Sequence, residues 1–311
     1  MSARITIPNT DLSVYPLCLG GNVFGWTADK AQSFEVLDAH KELGGNFIDT
    51  ADVYSEWAPG NRGGESETII GEWMRATGSR DKTVIATKVA KLSTRPGLSR
   101  ANIIAACDDS LRRLQTDHID LYYAHEDDQN TPLEETLSAF DDLIQAGKVR
   151  FLGASQHTGE RLREALAVSE ANGLARYAVL QNEYNLMERT EFEAISEPAL
   201  TATGLSALPF YSLARGFLSG KYQPGVQVES VRAGGVEGYK NERGWAVLAT
   251  LADIAEETNS THSAVALAWL RAQSVVSAPI ASARTVEQLR EIMPLVQLTT
   301  QQVARLTAAS N

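Results

Sequence analysis

The chain has 311 residues, 43% hydrophobic and 22% charged, a length and balance that let one large core form without disulfide or metal staples. Its 39 acidic against 28 basic side chains leave a net charge of −11, which excludes the basic stripe that a nucleic-acid partner needs; any anionic ligand has to be met by a local cluster of Lys and Arg. Cys18 and Cys107 make no disulfide framework, no basic and apolar leader precedes the first strand, and no apolar run is long enough to span a membrane, so a cytoplasmic protein without a membrane partner is expected.

In chain order, short apolar runs alternate with helical patterns. NFIDTA, TVIATK, HIDLYYAH, VRFLGAS and AVLQNEYN are almost continuously apolar, as strands buried on both faces of a parallel sheet must be. Between and around them the spacing predicts helices over Lys30 to Leu43, Glu65 to Ala76, Ser99 to Leu114, Leu133 to Ala146 and Gly159 to Glu170, with Gly44, Gly78 and Gly147 as stops. LSALPFYSL reads as a seventh strand and VVSAPIAS as an eighth, so strand ends fall near Gly21, Asp49, Lys88, His125, Ser155, Gln181, Tyr211 and Ile280. The last interval is longer and holds the 222–244 insertion, plus helices over Trp245 to Thr258 and Ser263 to Arg271. This β-then-α period predicts an α/β protein, a single (β/α)8 TIM barrel domain over 1–311 with its active site at the C-terminal face of the strands.

Two competing motifs fail. LGGNVFG places Asn22 where a dinucleotide-binding glycine fingerprint needs its middle glycine, and GFLSGKY is too short for a phosphate loop and has Tyr222 in place of the magnesium-holding hydroxyl. No metal site is expected.

Four strand-end residues read as chemistry. In a barrel, Asp49, Tyr54, Lys88 and His125 converge on one face although they lie far apart in sequence. A phenol is a poor acid at neutral pH unless a cation lowers its pKa, which makes Lys88 the expected acidifier of Tyr54. Asp49 is the counter-ion that a lysine among apolar walls needs, and His125 is placed to hydrogen-bond a substrate oxygen. Taken singly, each has an ordinary structural explanation as a cap or a snorkelling group; the joint spacing is what points to a site. Phe24, Trp26 and Trp57 are candidate walls of a substrate pocket that also includes Tyr54 and His125. Asp127 and Asp128 read as solvated loop carboxylates, and the Gly60 to Gly64 run as a mobile segment near the site.

FIDTADVY, ATK, IDLYYAHEDD, GKVRFLGAS, QNEYNLMER, FYSLARGFLSGKY and SARTVEQL together resemble the aldo-keto reductase superfamily over nearly the whole chain, more its bacterial and channel-subunit-like branches than its aldose reductase branch. The resemblance implies a (β/α)8 barrel that reduces aldehydes or ketones with NADPH, or runs the reverse oxidation, with Tyr54 giving the proton. It implies that Ser155, Gln156 and Gln181 hold the nicotinamide carboxamide, that Tyr211 stacks on the ring, and that Ser212, Leu213, Arg215, Gly216, Leu218 and Lys221 follow the pyrophosphate. Gly21, Asn22, Asp49 and Ile280 complete the cofactor set, with Ser282, Arg284, Gln288 and Glu291 around the adenosine end, where Arg284 favours NADPH over NADH.

Three positions depart from the family pattern: Gln156 stands where Asn is usual, YSLARG lacks a proline, and Ile292 follows Glu291 in place of Asn. Channel-associated members keep the same tetrad, so a cofactor-sensing regulatory subunit is the second expectation, and oxidation of a sugar or alcohol the third. A monomer is the family-level default.

Overall fold

The computed structural model describes residues 4–228 and 233–311. Eight parallel strands follow one another around the sheet in chain order: β1 Cys18–Gly20, β2 Phe47–Asp49, β3 Val84–Val89, β4 Ile119–Ala124, β5 Val149–Ser155, β6 Tyr177–Gln181, β7 Ser206–Ala207 and β8 Ile280–Ala281. β8 pairs back onto β1, and the last gap is closed by the Ser277 amide donating to Ala207 O (3.0 Å) and the Ile280 amide to Pro209 O (2.8 Å). The ring is therefore complete, the barrel that the β-then-α period predicts.

Helices fill the crossovers: α1 Lys30–Glu42, α2 Glu65–Thr77, α3 Arg100–Leu114, α4 Leu133–Gln145 and α5 Gly159–Asn172, then α6 Glu197–Thr203, α7 Glu242–Glu257, α8 His262–Arg271, α9 Val286–Ile292 and α10 Thr300–Ala309. Local chemistry sets several ends. Ser99 caps α3 by accepting from the Asn102 amide, and Gly78 closes α2 in the left-handed region. The two late strands are far shorter than the apolar runs imply because each run contains a proline, Pro209 or Pro279, which cannot donate to a ladder; their carbonyls still accept, Pro279 O from the Cys18 amide at 3.0 Å. Tyr211 accordingly lies beyond β7, on a turn with φ of 50°. Of the 222–244 insertion, residues 229–232 lie outside the described residues; Ala233–Tyr239 form a 3-10 turn and Glu242 already begins α7.

Two clusters share the core. Phe47, Ala86, Leu121, Tyr123, Phe151 and Val179 fill the barrel interior, whose lower end is closed by Ile7, Leu12 and Val14 of an N-terminal hairpin, while alternate residues such as Ile48, Ile85 and Tyr122 pack outward against the helices. The two-residue period of a strand then fixes which side chains reach the mouth. Asp49 lies two beyond Phe47, Lys88 two beyond Ala86, His125 two beyond Tyr123, Ser155 four beyond Phe151 and Gln181 two beyond Val179, so all share the inward parity.

Candidate active site

At the mouth, Lys88 is fully buried and its Nζ donates to Asp49 Oδ2 at 2.6 Å, Thr50 O at 2.7 Å and the Tyr54 hydroxyl at 3.0 Å. Tyr54 is carried there by the turn after β2, and its hydroxyl donates to Asp49 Oδ2 at 3.2 Å. Asp49 Oδ1 accepts from Gln181 Nε2 at 2.9 Å, so both carboxylate oxygens are engaged and the buried ion pair has the satisfied geometry such a pair requires. The His125 ring stands edge-on to Tyr54, 6.0 Å between centroids, with Nδ1 buried and unpartnered among the described residues.

The electrostatics correct one expectation. Burial first, then the Asp49 charge, holds the Tyr54 phenol well above its ordinary range, so the ammonium at 3.0 Å does not make it acidic. Lys88 is itself lowered by burial, opposed by Asp49. His125 is depressed by burial, then by the charges of Lys88 and Lys91, and stands as neutral imidazole. The resting site thus holds a protonated phenol beside an ammonium.

Two cavities, each of about 470 Å3, meet at Leu213, Arg215, Gly216 and Ser282 to form one trough. The inner is lined by the tetrad members Asp49, Tyr54 and His125 and by Asn22, Ser155, Gln156, Gln181, Tyr211, Ser212 and Ile280; Lys221, Arg284, Gln288 and Glu291 line the outer. Four residues of the sequence reading do not line either: Lys88 is fully buried beneath the inner cavity, and Gly21, Leu218 and Phe24 also lie outside both. Gly21 turns inward, its amide donating to Asp49 O at 2.7 Å, and Gly20 lines the cavity in its place; Leu218 and Phe24 are fully buried core residues. Trp57, 46% exposed, walls the inner cavity, whereas Trp26 walls the outer one and meets Trp57 edge-on at 5.6 Å.

Gln156, longer than the usual Asn, is expected either to fold back or to shift the carboxamide, and the readings of Asp127, Asp128 and the Gly60–Gly64 run are corrected. Gln156, at φ of 55°, folds back so that Nε2 donates to His125 O at 3.1 Å. Asp127 pairs with Arg161 at 2.8 Å and Asp128 accepts from the Leu98 amide and Thr131, so neither is merely a solvated loop carboxylate. Asn61 ties the Gly60–Gly64 run down, donating to Gly25 O and Ser55 O. Sequence reasoning missed Thr50, whose carbonyl is one of the three Lys88 acceptors, and Lys91, Val53 and Phe210, which line the inner cavity; the position of Lys91 three residues after Lys88 was the available signal.

The donor set fits a dinucleotide. Tyr211 presents a flat aromatic ring, 39% exposed, at one end of the trough, glycine backbone and Arg215 lie at its middle, and Lys221 and Arg284 stand at the other end. A Cβ at Gly20 would come within 2.5 Å of the Ser282 hydroxyl, so glycine is what keeps this wall open.

The sequence profile of the Aldo/keto reductase family matches residues 16–311. The chain is 36% identical to the uncharacterized oxidoreductase YrpG of Bacillus subtilis, over 93% of this chain and 89% of that protein. It is 32% identical to norsolorinic acid reductase A of Aspergillus parasiticus (93% and 75%) and 31% identical to a probable voltage-gated potassium channel subunit beta of Arabidopsis thaliana (92% and 89%).

Proposed function

The chain belongs to the aldo/keto reductase family and is an NAD(P)H-dependent oxidoreductase, and we propose that it reduces an aldehyde or ketone to the alcohol with NADPH, Tyr54 giving the proton. The observation that carries this reading is the Lys88 ammonium bonded at once to Asp49 and to the Tyr54 hydroxyl in the floor of the trough. Bound in the trough, the nicotinamide supplies hydride for the carbonyl carbon. Tyr54 stays protonated in the resting site and donates to the oxygen as charge builds there; the phenolate left behind is stabilised by Lys88 at 3.0 Å and regains its proton from solvent. Neutral His125 donates a further hydrogen bond to the same oxygen. Ser155 and Gln181 brace the site, Ser155 Oγ donating to Gln181 O at 2.9 Å.

Preference for NADPH is supported by Arg284 and Lys221 in the outer cavity, the donor types an adenosine 2′-phosphate needs. We take the protein to act as a cytoplasmic monomer, as its resemblance to the family leads one to expect. Replacing Tyr54 with Phe removes the proton donor but not the trough. Loss of NADPH-consuming turnover over a panel of aldehydes, ketones and quinones, with NADPH binding retained, is the expected result; undiminished turnover rejects Tyr54 as the acid.

Likeness to a channel subunit beta supports a second reading, a nucleotide-sensing regulatory subunit with little turnover. Stable capture of a membrane protein with negligible turnover across the panel would favour it. Alcohol oxidation uses the same groups in reverse.

A further inference from the structure

We infer that Lys91 makes the substrate side of the inner cavity an anion subsite, so that the preferred carbonyl substrates join an aromatic or other flat apolar body to a carboxylate; this rests on the reductase reading above. Among the described residues that line the inner cavity, Lys91 and Arg215 are the only Lys or Arg side chains. Arg215 also lines the outer cavity, and its guanidinium lies 4.6 Å over the Tyr211 ring, which places it with the nucleotide half of the trough. Lys88 lies below, its charge matched by Asp49 at 2.6 Å. Lys91 is thus the cation on the side of Tyr54, Trp57 and His125. The one carboxylate lining the cavity, Asp49, is already paired, so no lining group repels an incoming anion. In a chain of net charge −11 a positive wall is a local exception, and a concave one concentrates anions.

Three further observations support the assignment. Ala90, immediately before Lys91, has φ of 122°, a region that residues bearing a Cβ avoid, and its carbonyl is fixed by the Gly97 amide at 2.8 Å. Such backbone persists only where surrounding structure imposes it, and here it sets the direction in which the chain leaves β3 toward the mouth. Lys91 is close enough to the reacting end to depress His125, behind burial and Lys88 in order of effect. Its present partner is Glu126 at 3.3 Å, whose side chain is 46% exposed; a pair of this kind contributes little and exchanges readily for a substrate carboxylate. The flat body has its surface in Trp57, which meets Tyr54 edge-on at 6.1 Å.

The test has a binding arm and a turnover arm. With NADP+ present, quenching of tryptophan fluorescence is followed on titration with benzoate and with benzamide, in the natural chain, in Lys91→Met and in Lys91→Arg. Benzoate is expected to bind about tenfold tighter than benzamide, with the advantage lost in Lys91→Met, kept in Lys91→Arg and reduced by added salt. In the turnover arm, the three carboxybenzaldehyde isomers are compared with their methyl esters; at least one acid is expected to show a roughly tenfold lower KM than its ester, a difference that Lys91→Met abolishes. Equal binding of benzoate and benzamide, or a benzoate advantage that survives Lys91→Met, overturns the inference. Turnover of neutral aldehydes without discrimination sinks the anion subsite alone; discrimination without turnover of any aldehyde sinks the reductase reading and leaves the subsite standing.

Discussion

Replacing Lys88 with Met separates what the ammonium does for stability from what it does for chemistry. The variant leaves Asp49, 2% exposed, without its cation, and removing one partner of a buried pair costs roughly 3–5 kcal/mol. Two donors remain, Gln181 Nε2 at 2.9 Å and the Tyr54 hydroxyl at 3.2 Å, but both already bond Asp49 in the natural chain, so they offset none of that loss. The expectation is a loss of about 3–5 kcal/mol, read by urea unfolding at pH 7. The rate should suffer separately, because the Tyr54 phenolate loses its donor; removing one such donor costs about 10²–10³-fold in turnover. Asp49→Asn combined with Lys88→Met removes both charges, so it should recover most of the stability and none of the rate. If Lys88→Met unfolds within about 1 kcal/mol of the natural chain, or if the double variant recovers nothing, the buried pair is not what organises the site.

Arg284→Ala should lower affinity for NADPH by roughly tenfold to a hundredfold while sparing NADH, measured by fluorescence titration of both; an unchanged ratio refutes the phosphate assignment. Asp52 is buried in the turn after β2, and burial, with the Glu67 charge adding and Arg113 opposing, pushes it up to about 7. The folded state therefore holds a proton that the unfolded chain releases near pH 4. Its contribution to stability is present at low pH and is lost as pH rises from about 4 through 7, on the order of 2–4 kcal/mol in all. Asp52→Asn should flatten that part of the stability–pH curve in denaturant titrations from pH 4 to 8, and parallel curves would show that Asp52 does not titrate there. A Cβ at Gly45 would come within 2.1 Å of His40 Nε2, so Gly45→Ala should cost about 1–3 kcal/mol in thermal unfolding, and His40→Ala in the same chain should relieve the clash; no relief means the strain lies elsewhere.

Much of this site was legible in the sequence because inward parity and strand ends are properties of short runs. FID, ATK and YYAH each deliver one polar residue two positions beyond an interior apolar one, and the structure brings those residues together. Less legible were features set by the chain's path after the strands. Phe24 reads as a loop aromatic, but its carbonyl accepts from Ser55 and its ring is buried, which only the packed turn reveals. The direction of Lys91 depends on the backbone of Ala90, and no residue preference announces a left-handed alanine. The Tyr54 shift had the opposite sign to that expected because a neighbouring cation can be inferred from spacing, whereas the degree of desolvation cannot.

The proline-shortened strands β7 and β8 give the cylinder a thin seam: few amide-to-carbonyl links join these staves, against the long ladders between β3, β4 and β5. The trough runs along that seam, with Tyr211 to Gly216 on one bank and Ile280 to Arg284 on the other. A guest lying there touches both banks and acts as a clasp across the joint. Occupancy and integrity of the ring are then linked by mass action: each tenfold excess of guest over its dissociation constant adds about 1.4 kcal/mol of resistance to opening, while the stiff half that carries Lys88 stays in register.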